Sequence, residues 1–162
     1  MKQSKMIISL AVALVIGIAV QVILVYADAQ DSPYKAATEF AKACFTYDKA
    51  LLSDRLCEAS KTAEDADVVG DYIYKARQEA QARGYSLGCY VKEKLYHLEA
   101  ETVARTQDTA QVRLKFEKRS PLRTFFSKKD KHDVSHVEEV IELVRENGQW
   151  KVCANPFSFA GV

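Results

Sequence analysis

A β-hairpin signature at residues 137–153 constrains the fold of this sequence more than any other feature. The segment reads VEEVIELVRENGQWKVC, and apolar residues alternate with polar ones on both sides of Asn147-Gly148. This dipeptide favours a two-residue type I′ turn, which pairs Glu146 with Gln149 and sets the register of both strands. We therefore predict that one face of the hairpin is buried, and that it consists of Ile141, Leu143, Trp150 and Val152.

Two earlier strands are predicted from the same period of two. Residues 89–105 form the first, and parity places Tyr90 and Tyr96 on its inner face. The second strand covers residues 110–118, where the buried residues that alternate with charged ones are Val112, Leu114 and Phe116.

Three helices are predicted before the strands. Ser32 and Pro33 are typical of an N-cap followed by the first helical position, and apolar residues then recur at helical spacing. A second helix is expected at about residues 48–59. A third follows, with Gly84 suited to its C-terminal end and an inward face that consists of Val69, Ile73, Ala76 and Ala80.

This order of elements predicts an α+β domain at residues 30–162, in which three helices pack on a curved four-stranded antiparallel sheet. Helices first, and then long strands that end in ENGQWKV, resemble the nuclear transport factor 2-like (cystatin-like cone) superfamily over residues 33–155. The resemblance implies a pocket between the sheet and the helices. It leaves the activity open, because such folds serve isomerases, dehydratases, ligand-binding modules and noncatalytic partners.

One apolar helix is predicted at residues 1–29, before the domain. Its apolar run, residues 6–25, is long enough to span about 30 Å, one hydrocarbon thickness. Lys2 and Lys5 precede the run, which places the N-terminus in the cytoplasm and the domain outside. Residues 27–29 read Ala-Asp-Ala, a cleavage pattern. Both an inner-membrane anchor and a signal peptide cleaved at Ala29, which would leave a periplasmic or secreted domain, therefore stay open.

An anchored domain of this kind is similar in architecture to the inner-membrane scaffold proteins of type IV secretion. Export also favours disulfides among the cysteines, which are Cys44, Cys57, Cys89 and Cys153. Cys44 and Cys57 lie on consecutive predicted helices, and we predict that they pair, although three full pairings exist. The chain has no C-x-x-C pair and no cysteine with a histidine at zinc-finger spacing. We therefore expect no metal and no cofactor.

One carboxylate is a candidate for catalysis. Parity places Glu139 on the buried face of the hairpin, where a pocket would raise its pKa and suit it to act as a general base. Tyr90 and Tyr96 would supply hydroxyl donors, and Trp150 would line the same pocket. The alternative is that Glu139 reaches solvent at a strand end and that the tyrosines are ordinary core residues.

A basic segment is the candidate for partner binding. Residues 113–132 contain eight Lys or Arg against two acids. Such a surface suits an acidic envelope protein or an anionic membrane. The residues expected to bind are Arg123, Phe125, Phe126, Lys128, Lys129 and Lys131.

The sequence thus favours a noncatalytic binding or assembly module of the cell envelope over a small-pocket acid/base enzyme of the isomerase or dehydratase type. A net charge of +1 speaks against a nucleic-acid partner. A small apolar ligand is compatible with the predicted pocket, and the oligomeric state is open, a dimer included.

Overall fold

In a computed structural model of the chain, the described residues are 2–61, 67–90, 93–119, 134–153 and 157–158. The chain divides into two units, Met1–Asp31 and Ser32–Val162. The first unit contains helix α1, Lys2–Ala29. Counting only the residues with described side chains, no helix of the protein is both long and apolar enough to cross a membrane. The role of residues 1–29 as an anchor or a signal peptide stays a prediction.

The second unit begins with helix α2, Pro33–Thr46, at the predicted position. The backbone N–H of Lys35 donates to the Ser32 hydroxyl at 3.2 Å, which is the N-cap contact that the sequence indicates. The predicted single helix at 48–59 is instead two helices, α3 (Lys49–Arg55) and α4 (Glu58–Lys61). The described part of the unit therefore has one α-helix more than predicted.

The break between α3 and α4 has a tertiary cause. Leu56 and Cys57 leave the helix and run beside the last strand, where Leu56 forms a β-bridge with Val152. The Cys57 N–H donates to the Val152 carbonyl at 3.0 Å. These contacts replace the intrahelical hydrogen bonds that a continuous helix would make.

Helix α5, Val68–Ala82, follows, and a short 3₁₀ helix covers Leu87–Cys89. Gly84 has φ +80°, as expected for a residue that ends a helix. The inward face of α5 is confirmed, because the predicted residues Val69, Ile73, Ala76 and Ala80 are all buried.

The four strands form one antiparallel sheet in chain order, and the α+β class with an open curved sheet is confirmed. The strands are β1 (Lys94–Arg105), β2 (Thr109–Arg119), β3 (Val134–Glu146) and β4 (Gln149–Cys153). The hairpin has the predicted register, with Glu146 opposite Gln149 and Leu143 opposite Val152. Asn147 and Gly148 have φ of 52° and 82°, which a type I′ turn requires.

The core lies between α2 and the inner face of the sheet. Helix α2 contacts all four strands, and its Phe40 is fully buried. The predicted buried residues of the strands are confirmed and include Val112, Leu114, Phe116, Ile141, Leu143, Trp150 and Val152.

Strand β1 differs from the prediction because it contains a bulge. Three steps along β1, from Tyr96 to Glu99, lie opposite two steps along β2, from Glu117 to Lys115. His97 sits in the bulge with φ 50°. The extra residue reverses parity, so the register places Tyr96 on the outer face with Glu117, and Tyr96 is 38% exposed. The predicted inner-face position of Tyr96 is therefore wrong.

Candidate functional site

A cavity of about 560 Å³ lies where the C-terminal end of α2, the 3₁₀ helix and the start of β1 meet. We call it the aromatic cavity. Its aromatic lining is Phe45, Tyr47, Tyr90 and Tyr96, and its charged lining is Lys42, Glu93 and Lys94. A mostly apolar wall with a few polar groups is the usual composition of a small-molecule site.

The end of α2 builds one wall of the aromatic cavity. Tyr47 is the C-cap in the left-handed conformation, and its N–H donates to the Ala43 carbonyl. Phe45 packs edge-on against Phe116 of the core, with ring centroids 5.7 Å apart. The Lys118 ammonium lies 5.7 Å from the centroid of the Phe45 ring. These contacts anchor the wall to the sheet and to the core.

Two phenols that line the aromatic cavity, those of Tyr47 and Tyr90, stay neutral at physiological pH. Burial raises the pKa of Tyr47 to about 12, and the nearby Tyr90, Glu79 and Glu93 add to the effect. Burial likewise raises the pKa of Tyr90, and the Glu79 carboxylate raises it further. Neutral phenols can donate hydrogen bonds, but they are poor bases and poor nucleophiles in this form.

The Tyr90 side chain lines the aromatic cavity, but its hydroxyl oxygen is buried and is not exposed to the open cavity. After burial, a hydrogen-bond interaction with the Glu79 carboxylate raises the pKa of this phenol, and Glu79 also pairs with Arg83 at 3.1 Å. The hydroxyl is therefore not available to a ligand in the cavity.

The predicted pocket residues are only partly brought together. Tyr90 and Tyr96 both line the aromatic cavity. Trp150 does not line it and lies in the core, 1% exposed, with the Arg105 guanidinium 5.4 Å from its ring centroid.

Glu139 lies on the inner face of β3 by register, opposite Leu114, as parity predicts. It is half-buried and accepts a hydrogen bond from the Ser158 hydroxyl. Glu139 lines neither the aromatic cavity nor the two cavities described below. Its catalytic role stays a prediction. The predicted binding residues Arg123, Phe125, Phe126, Lys128, Lys129 and Lys131 fall within 120–133, outside the described residues.

The disulfide joins Cys57 to Cys153, with their Cα atoms 5.5 Å apart. The predicted Cys44–Cys57 pair is wrong. Cys44 lies on the core side of α2, fully buried, and has no disulfide partner among the described residues. Cys57 lies beside β4 because the chain leaves the helix after Arg55. Burial raises the pKa of the Cys44 thiol well above its usual range, which leaves it unreactive.

The outer face of the sheet carries a second cavity, of about 490 Å³. Here Glu117 of β2 lies between two histidines. Its carboxylate is 3.3 Å from His97 Nδ1 and 3.9 Å from His136 Nδ1. A hydrogen bond from Arg119 lowers the pKa of Glu117, and one from His97 lowers it further. A third cavity, of about 400 Å³, lies at the opposite end of the sheet, beside Arg105 and Gln111.

Sequence reasoning missed this outer cluster. The predicted hairpin begins at residue 137 and leaves His136 outside it, whereas β3 begins at Val134 and includes His136. A usable signal exists in the sequence, because His136 and Glu138 continue the period of two of Glu142 upstream of the predicted strand. The bulge that brings His97 beside Glu117 has no comparable signal.

Comparison of the chain with protein-family models gives no match, and no curated protein matches it significantly.

Proposed function

We propose that the protein is a noncatalytic binding module of the cell envelope, and that it takes a small, mostly apolar ligand in the aromatic cavity. The observation that carries this proposal is the aromatic cavity itself, of about 560 Å³, with Phe45, Tyr47, Tyr90 and Tyr96 in its wall. A fitting ligand has an aromatic or alicyclic body. The resemblance to the nuclear transport factor 2-like superfamily, proposed from the order of elements, is compatible with this function.

The expected affinity is modest. A ligand that buries about 300 Å² of apolar surface gains about 7 kcal/mol before the cost of association. After association costs of at least about 4 kcal/mol, at most about 3 kcal/mol remains, so we expect a dissociation constant of about 5 mM or weaker.

Binding is favoured over catalysis because of the chemistry of the wall. Glu93 is the carboxylate of the described lining, and it forms an ion pair with Lys118 at 3.6 Å. The Tyr47 and Tyr90 phenols are neutral, and Glu139 lies elsewhere on the sheet. Among the described lining residues, the one carboxylate is thus already engaged with a lysine.

The envelope location rests on two supports. Residues 1–29 carry the apolar run and the preceding lysines, and the Cys57–Cys153 disulfide is of a kind that persists in oxidising compartments. An envelope protein or an anionic membrane surface, contacted by the basic segment 113–132, is the proposed partner of the anchored module.

A larger side chain at a residue of its wall can fill the aromatic cavity. Gly88 lines the aromatic cavity, and a Cβ at this position would meet nothing within 4 Å. The Gly88→Leu variant therefore adds apolar bulk to the cavity without a backbone clash. Ala50→Leu is the matched control, because it adds a similar side chain at an exposed position of α3.

The test is fluorine NMR of 4-fluorophenol titrated with the full chain. We expect the probe signal to broaden with the wild type and with Ala50→Leu. Gly88→Leu should abolish the broadening. Equal broadening with all three proteins, or none with the wild type, contradicts the proposal.

A further inference from the structure

Two lysines in the lining of the aromatic cavity carry positive charge that the described part of the chain does not neutralise. Lys42 of α2 and Lys94 of β1 both line the cavity, and both are exposed. Neither forms an ion pair with a carboxylate of the described residues. Two unpaired ammonium groups thus border a wall that is otherwise mostly apolar.

Helix geometry places Lys42 on the same side of α2 as the apolar wall. Phe45 and Thr46, which also line the cavity, follow Lys42 by three and four positions. Residues at these spacings lie one above the other on one face of a helix. The Thr46 hydroxyl donates to the Lys42 carbonyl at 3.0 Å within this turn. Lys42 therefore belongs to the face of α2 that forms the wall of the cavity.

Lys94 faces another cation across the sheet. It is the direct register partner of Arg119 on β2, and like charges directly opposite each other destabilise a strand pair. The Arg119 guanidinium pairs with Glu117, and no carboxylate of the described residues pairs with Lys94. An anion beside Lys94 would offset this repulsion.

The carboxylates that act on the Tyr47 phenol are already paired with cations. Glu93 lines the cavity and forms an ion pair with Lys118 at 3.6 Å. Glu79 forms an ion pair with Arg83 at 3.1 Å. The charge that remains in the described lining is therefore positive.

We propose that the ligand of the aromatic cavity is a small carboxylic acid with an aromatic or alicyclic body, and that Lys42 and Lys94 bind its carboxylate. This inference rests on the proposed function and adds the charge of the ligand to it. The apolar body packs against the aromatic wall, while the carboxylate stays at the exposed lysines and keeps part of its hydration. Lysine is a flexible point charge with three donors, so both side chains can adjust to one anion.

The experiment compares two fluorine NMR probes of nearly equal shape, 4-fluorobenzoate and the neutral 4-fluorobenzamide, with the full, oxidised chain. At a fixed protein concentration, the broadening of each probe measures its bound fraction, and the ratio of benzoate to benzamide isolates the effect of the charge. Lys42→Gln/Lys94→Gln should lower this ratio about fivefold, and each single substitution about twofold, as expected for exposed ion pairs. High salt should lower the ratio of the wild type toward that of the double variant.

Lys49→Gln/Lys75→Gln is the matched control, because it removes the same charge from exposed positions of α3 and α5 that do not line the aromatic cavity. It should leave the ratio unchanged. All four substituted side chains are exposed, so the variants should fold as the wild type does.

Two results would overturn the assignment of the carboxylate: a ratio that Lys42→Gln/Lys94→Gln does not lower, or one that the control lowers equally. The proposed function survives either result if 4-fluorobenzamide still broadens with the wild type and Gly88→Leu abolishes that broadening. If 4-fluorobenzamide does not broaden, or if Gly88→Leu leaves its broadening unchanged, the proposed function fails, and this inference fails with it.

Discussion

Reduction of the Cys57–Cys153 disulfide should destabilise the domain more than any single surface substitution. The bond joins residues 96 positions apart and ties the segment after α3 to the last strand. In the chain-entropy model, a cross-link that closes a loop of about 100 residues contributes about 4.7 kcal/mol, chiefly by restricting the unfolded chain. The free energy of unfolding of a domain of this size is about 5–15 kcal/mol. Loss of the bond therefore removes a large share of it.

The measurement is urea unfolding of the full chain with and without a phosphine reductant. The chain has one tryptophan, Trp150, which is 1% exposed and lies on β4 three positions before Cys153. Its emission therefore reports the loss of the strand that the disulfide holds. With a slope of about 2 kcal/mol per molar urea, a loss of about 4 kcal/mol lowers the midpoint by about 2 M.

The matched control is Cys44→Ala. Because Cys44 forms no disulfide among the described residues, this variant should lose as much free energy on reduction as the wild type does. Cys57→Ala and Cys153→Ala should show no loss on reduction, since their bond is already absent. A wild-type change below about 1 kcal/mol, or a reductant effect that Cys44→Ala abolishes, would refute the assignment of the pair.

Three further predictions concern the turn, the aromatic cavity and the location of the domain. Gly148→Ala should lower the free energy of unfolding by about 1 kcal/mol or more, measured by urea unfolding, because φ is 82° there. Tyr47 has a pKa raised from 10.0 to about 12 in the folded state, so the unfolded chain loses this proton first. Stability should fall as pH rises from 10 to 12. Tyr47→Phe should show a shallower fall in the same unfolding series, and an equal fall would contradict the assignment. A reporter active only outside the cytoplasm, fused after Val162, should be active, and an inactive one would contradict export.

Local rules of sequence determined much of this fold. The turn chemistry of Asn147-Gly148 specified the register of the last two strands without reference to any other part of the chain. The period of two placed Val112, Leu114 and Phe116 on the buried face of β2. Ser32 and Pro33 marked the start of α2. These features are determined by interactions between residues that lie within a few positions of one another, so they can be predicted from the sequence alone.

Tertiary packing decided the remaining features, because they bring together residues that are distant in the chain. Cys57 pairs with Cys153, and not with the nearer Cys44, because Leu56 and Cys57 leave the helix to run beside β4. A bulge at His97 moves Tyr96 to the outer face. The alternation of apolar and polar residues in the sequence does not predict this bulge.

The aromatic cavity and the outer cluster have the same origin. The aromatic cavity needs α2, the 3₁₀ helix and β1 to converge. The outer cluster needs three strands in one register, so that His97, Glu117 and His136 meet. Spacing along the chain says nothing about such distances. They follow from how the helices and strands bury their apolar faces against one another.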